Sequence, residues 1–268
     1  MQADASYLRG LDLLYKVEGT SQPVTLGALD DIAPDLAGMA VRFVYGEIYT
    51  RPGMALRERQ LATVAALAAL GNAEPQLRFH LRGALNVGCT AQEIVEALMH
   101  IAIYAGFPAS LNALFAAKIV FEQQGLNPVP VHVPPATSRH DAGWQALQRI
   151  DGHAGQRVIE SLKDIAPDLA RFIIEFSFGD IYTRPGLGLI EREIVTVAAL
   201  AAMGTAAPQL KVHAHGLLNV GGTREQLVET IIQIVAYAGF PAAINAALIA
   251  KQVLAERQDA QPPKGIQS

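Results

Sequence analysis

The chain has 268 residues, 51% of them hydrophobic and 17% charged, with a formal net charge of −4, a pI near 6.0 and a mean hydropathy of +0.23. That excludes a largely disordered chain, and it offers phosphate no basic stripe, so nucleic acid is not an expected partner. One cysteine, Cys89, cannot make an intrachain disulfide.

The first seven residues carry no basic-then-apolar pattern of a secretory leader, and a cytoplasmic location is expected. Along the chain the main feature is internal repetition. Asp-Ile-Ala-Pro-Asp-Leu at 31–36 returns at 164–169, Ile-Tyr-Thr-Arg-Pro-Gly at 48–53 returns at 181–186, and Tyr-Ala-Gly-Phe-Pro-Ala at 104–109 returns at 237–242. All three pairs share one offset of 133, which is too long for a solenoid repeat and marks two whole domains. The expected division is a first domain over 7–125, a proline-rich linker over 126–139 and a second domain over 140–258, with a loose polar tail. Two similar units fused in one chain are expected to pack pseudo-symmetrically.

Each unit reads as a bundle of five or six helices, an all-α fold without strands. Pro34 opens a helix that runs to Tyr49 and ends at Arg-Pro-Gly. An Ala/Leu-rich helix over 56–70 stops at Gly71. Pro75 suits the first turn of the next helix, which runs to Gly88. Thr90 and Glu93 form a capping box, repeated by Thr223 and Gln226. The apolar stretches 94–121 and 227–250 are each interrupted by Gly-Phe-Pro, so they read as pairs of packed helices and not as membrane spans.

On the helix after Pro75, His80 lies at the edge of the apolar face formed by Leu77, Leu81, Ala84 and Leu85, and His213 repeats it. A half-buried histidine is either a proton donor and acceptor or a hydrogen-bonded core residue. Glu58 and Glu191 stand in the first turn of the preceding helix. There they either complement the helix dipole or reach toward the histidines. Glu96 and Glu229 read as solvated. His213 and His215 point about 200° apart and cannot share a metal. Cys89, matched by Gly222, reads as an incidental small residue.

Taken together, Arg-Pro-Gly (51–53), Arg-Glu-Arg-x-Leu (57–61), Ala-Ala-Leu-Ala-Ala (65–69), His-x-x-Gly-x-Leu-Asn-x-Gly (80–88) and Tyr-Ala-Gly-Phe-Pro-Ala resemble the carboxymuconolactone decarboxylase family, over nearly all of both repeats. The resemblance implies an alkylhydroperoxidase D-like all-α fold. It also implies a trimer of two-domain chains that is similar to a hexamer of single domains. In the thiol peroxidase branch a Cys-x-x-Cys precedes the histidine, but Ala73 and Gln76, and Ala206 and Gln209, occupy those positions, so peroxidase activity is not expected. The other branch implies cofactor-free decarboxylation of a small carboxylated lactone. Its glutamate falls on Glu193 in the second repeat and on Gln60 in the first. The implied catalytic set is therefore His213 and Glu193, with His80, Glu191 and Glu58 as further candidates. A different small-molecule reaction on this scaffold, or a non-catalytic binding subunit, remains the alternative.

Overall fold

The computed structural model describes residues 4–23, 27, 29–133 and 138–259, and among these there are helices and no strands. In the first repeat α1 (Ala5–Glu18) is followed by α2 (Pro34–Ala40), α3 (Leu56–Leu70), α4 (Glu74–Asn86), α5 (Ala91–Tyr104) and α6 (Gly106–Gln123). In the second, α7 (Arg139–Ile150) leads to α8 (Gly152–Ser161), α9 (Pro167–Phe172), α10 (Leu189–Met203), α11 (Ala207–Asn219) and α12 (Arg224–Asp259).

The expected helix from Pro34 to Tyr49 differs in one respect. After α2 the chain widens into a π-helix over Val41–Ile48, and after α9 it does so over Ile173–Tyr182. Backbone packs on backbone there. A Cβ on Gly10 would collide with the Val41 carbonyl and one on Gly46 with the Ser6 carbonyl. Gly143 and Gly179 stand in the same relation to Ile174 and Arg139. Small residues thus let the first helix of each repeat lie directly against the π-segment that carries Tyr49 or Tyr182.

The central helices are α3 and α10, whose residues are buried on every side from Arg59 to Ala68 and from Arg192 to Ala202. A helix with no wet face belongs inside the molecule, and alanines let two such helices approach closely. They pack against each other, with α5 and α12 alongside, so the two repeats pair as the sequence suggests. Leu61, Val64 and Leu67 of one repeat share a single apolar cluster with Ile194, Val197 and Leu200 of the other.

Both capping boxes form: Thr90 Oγ1 accepts from the Glu93 amide at 3.1 Å, and Thr223 Oγ1 accepts from the Gln226 amide at 3.0 Å. With a hydropathy of 1.6, α12 is the one helix among the described residues long and apolar enough to cross a bilayer. Gly239, at φ 81° and ψ 169°, breaks it into two helices, as Gly106 separates α5 from α6. The linker residues 127–133 are described and lack regular structure, whereas 134–137 and the tail beyond 259 lie outside the described residues.

Candidate active site

The chemistry-bearing residues converge where α10 and α11 meet the π-segment of the second repeat and the end of α5 from the first. Pro208 starts α11, and its apolar residues Leu210, Ala214 and Leu217 seat it on the core. This turns His213, 7% exposed, toward α10. Gly216, the glycine of the His-x-x-Gly motif, is needed for room: a Cβ there would lie 2.7 Å from Glu193 Oε2.

His213 and Glu193 are brought together. His213 Nδ1 lies 3.1 Å from Glu193 Oε2, and the Tyr182 hydroxyl donates to Glu193 Oε1 at 2.5 Å. Having spent its only proton, Tyr182 must accept at its 2.7 Å contact with the Tyr104 hydroxyl, so Tyr104 donates there. Tyr104 in turn can only accept from His213 Nε2, at 3.2 Å. The four groups close a ring in which both imidazole nitrogens carry protons. The electrostatics agree. Burial pulls the His213 pKa down, but the Glu193 and Asp151 charges and the Glu193 hydrogen bond outweigh it and raise it to about 9. Burial holds the Tyr104 and Tyr182 phenols well above their ordinary value, so both remain protonated. The site therefore holds an imidazolium at neutral pH.

A cavity of about 270 Å³ opens onto this ring, walled by Ile103, Leu147, Val158, Ile173 and Phe178, with His213, Tyr104, Asp151, Ser177 and Gln209 as polar groups. Behind the ring, His100 Nε2 donates to Thr196 Oγ1 at 2.9 Å, because the threonine proton goes to the Arg192 carbonyl. Burial and the Arg192 charge keep His100 neutral.

The first repeat builds the same place with different chemistry. His80 Nδ1 meets Gln60 Oε1 at 3.0 Å. With an amide in place of the carboxylate, burial alone acts, and the His80 pKa falls to about 3. Tyr49 bonds Tyr237 at 2.6 Å and Thr63 at 3.0 Å, and His80 meets Tyr237 only edge-on. The cavity there is wider, about 530 Å³.

Two of the sequence candidates are directed elsewhere. Glu58 caps its own helix by accepting from the Ala55 amide at 2.8 Å, and Gln226 donates to it at 2.8 Å. Glu191 faces Arg57 at 3.6 Å. Each stands two residues before the position that meets the histidine, and so on the opposite side of its helix. Glu96 and Glu229 correct the reading as solvated residues. Glu96 is fully buried and accepts from Arg184 at 2.8 Å and from Arg192 at 3.1 Å. Glu229 accepts from Arg51 at 2.9 Å and from Arg59 at 2.8 Å. Each glutamate comes from the repeat opposite its arginines, and the glycine of each Arg-Pro-Gly turn lies against the same foreign helix. Gly53 and Gly186 both have φ 91°, and a Cβ on Gly186 would lie 3.3 Å from the Glu96 side chain. His215 pairs with Glu256 at 3.1 Å, away from His213. Cys89 is buried, and burial pushes its thiol up to about 12.

Sequence reasoning missed Tyr104, Tyr182 and Asp151. The tyrosines were open to detection, since both stand inside repeated motifs. Asp151 had no such signal.

The sequence model of the Carboxymuconolactone decarboxylase family matches residues 34–118 and again 167–252. The chain belongs to this family. The 4-carboxymuconolactone decarboxylase of Acinetobacter baylyi is 38% identical over 133 residues, covering 49% of this chain and 98% of that protein. A family member of nearly one repeat's length thus corresponds to half of this chain. The nitrosuccinic acid decarboxylase of Metarhizium robertsii is 32% identical over 80 residues, 30% of this chain and 55% of that protein. A crystal structure of a protein provisionally assigned as a gamma-carboxymuconolactone decarboxylase subunit, from Burkholderia xenovorans, covers 96% of this chain and 100% of its own. Its TM-score is 0.62 at 24% identity, a likeness of fold.

Proposed function

We propose that the protein is a decarboxylase of a small carboxylated lactone of the 4-carboxymuconolactone type, acting without a cofactor at the second-repeat site. The observation that carries this reading is the engagement of both His213 ring nitrogens, one by Glu193 and one by Tyr104, beside a largely apolar cavity. In such a lactone the carbon–carbon bond to the carboxylate breaks, carbon dioxide leaves, and the electron pair passes through the double bond to the lactone carbonyl. His213 then delivers a proton to carbon and is reprotonated from solvent, while Glu193 stabilises its charged form. The apolar wall favours the neutral carbon dioxide over the carboxylate it replaces. Identity to two decarboxylases of small acids supports the reaction class. The test is decarboxylation of 4-carboxymuconolactone, followed by loss of ultraviolet absorbance. Wild type is expected to turn over, and His80→Gln to keep the rate within about twofold, because His80 lacks a charged partner. A folded protein that leaves the lactone intact would overturn the reading.

We also propose that the chain forms a homotrimer. Phe107, Leu111 and Phe115 on α6 are 48–63% exposed at helical spacing, and Phe240, Ile244 and Leu248 on α12 repeat them at 55–58%. Two apolar stripes of this kind, one per repeat, suit a closed ring of chains. Light scattering is expected to give three times the 28.6 kDa chain, and Phe115→Glu to give smaller species. A monomeric wild type would refute the trimer.

A further inference from the structure

The second-repeat cavity holds a carboxyl group with an oxygen that makes no hydrogen bond to the proton-delivery ring. Asp151 follows the last residue of α7 and is 8% exposed. Asn219 Nδ2 donates to the neighbouring Ile150 carbonyl at 2.8 Å and so fixes the end of α7 beside α11. Asp151 is also the N-cap of α8, without a side-chain cap bond, and one turn later a Cβ on Gly155 would lie 2.8 Å from the Asp151 Cβ. In the first repeat the same position is Glu18, only half-buried, and no helix equivalent to α8 follows it among the described residues. Asp151 Oδ1 is buried without a hydrogen-bond partner. Its nearest cation, His213 Nδ1, is 3.8 Å away, beyond hydrogen-bond reach, and that proton is committed to Glu193. A buried, unpaired carboxyl oxygen on a cavity wall is costly unless something occupies the cavity.

The charge balance identifies the occupant. Glu193 and His213 cancel, so an ionised Asp151 would present an incoming acid with a net negative wall. A neutral Asp151 presents an O–H donor instead. 4-Carboxymuconolactone has two carboxylates, and decarboxylation removes one of them. We infer that Asp151 in its neutral form hydrogen-bonds the carboxylate that the reaction keeps, so that an anionic substrate binds together with one proton. Two carboxyl groups at hydrogen-bond distance share one proton because both cannot ionise there. This inference rests on the decarboxylase reading for its substrate but not for its geometry.

The groups facing Asp151 are His213 from α11, Glu193 from α10, Tyr104 from α5 and Tyr182 from the π-segment. Burial, partly offset by His213 and reinforced by Glu193, lifts the Asp151 pKa to about 6. His213 and the two tyrosines keep one form between pH 5 and about 8. Asp151 therefore acts as a positioning residue whose protonation is read in affinity, while the charge and hydrogen bond of Glu193 still favour the protonated form of His213.

The experiment compares wild type, Asp151→Asn and Asp151→Ala with 4-carboxymuconolactone from pH 5 to 8. In wild type KM is expected to rise about tenfold per pH unit above about pH 6, as one-proton linkage requires. Asp151→Asn keeps a donor at every pH. Its KM should stay within about threefold across the range, and any fall in kcat should be smaller than that of Glu193→Gln. Asp151→Ala should raise KM about tenfold to a hundredfold at pH 5.5, the loss of a hydrogen bond to a charged group. A pH dependence of KM in Asp151→Asn equal to wild type, or a collapse of kcat with KM unchanged, would overturn the assignment. If wild type binds the lactone without turnover, the decarboxylase reading fails alone. The same comparison is then made on Kd from the fluorescence of Trp144, which packs on the Leu147–Phe178 cluster beside the cavity. A Kd that rises with pH in wild type and is flat in Asp151→Asn sustains the role of Asp151. Equal pH dependence in the two proteins, or no binding at millimolar lactone, defeats it.

Discussion

Glu193→Gln is expected to lower kcat for decarboxylation by a factor of about 10² to 10⁴, the usual contribution of a positioned proton donor. The substitution is nearly isosteric, and the protein already contains its outcome. In the first repeat Gln60 stands where Glu193 stands, keeps a hydrogen bond to its histidine, and leaves His80 with a pKa of about 3 instead of about 9 for His213. An amide preserves the geometry and removes the charge, so the imidazolium that would protonate carbon is no longer present at neutral pH. KM is expected to change far less than kcat, because Glu193 lies behind His213. A variant that keeps wild-type kcat would move proton delivery away from this pair. A variant that loses its thermal transition as well would mark Glu193 as structural.

Glu96→Ala is expected to cost about 3–5 kcal/mol of stability, the largest effect outside the site. Removing this carboxylate leaves the fully buried Arg192 guanidinium and the 14% exposed Arg184 side chain without their anion. Arg192 already has two nitrogens without partners, and its other acceptor is the neutral Arg184 carbonyl at 2.9 Å, which cannot replace the carboxylate charge. Thermal melting should fall by roughly 10 °C or more. Glu229→Ala should cost less, since its partner Arg51 is 44% exposed and can turn to water. Equal losses at the two positions, or a Glu96→Ala loss under about 1 kcal/mol, would contradict the assignment of these ion pairs as the clasp between repeats.

The helices, their caps and the pairing of the two units were legible because each rests on local periodicity or on the offset of 133. The His213–Glu193 and His80–Gln60 pairs were legible only through the family resemblance. Their partners were not, for a physical reason. Periodicity shows that one side of α5 is apolar, but Glu96 and His100 lie among Ile94, Ala97, Leu98 and Ile101 on a helix buried nearly all round. Whether a polar residue there faces water or a foreign arginine depends on contacts 88 or more residues away. The π-segments escaped notice because lengthening each hydrogen-bonded loop by one residue leaves no compositional mark. Asp151 escaped because its burial depends on α7, α8 and α11 meeting around it, and nothing in the local sequence marks that meeting.

Duplication ordinarily frees one copy to decay, and the arrangement of α5 restricts that freedom here. Helix α5 belongs to the first repeat, yet it delivers Tyr104, His100 and Glu96 to the second. A change in α5 therefore reaches the second site across the linker, from the repeat whose own histidine faces an amide and not a carboxylate. Tolerance to substitution should be divided by helix and not by repeat, with α4 free to vary around His80 and α5 held close to its present sequence. Severed at the linker, neither half would contain a complete site, and activity would return only when the two pieces met.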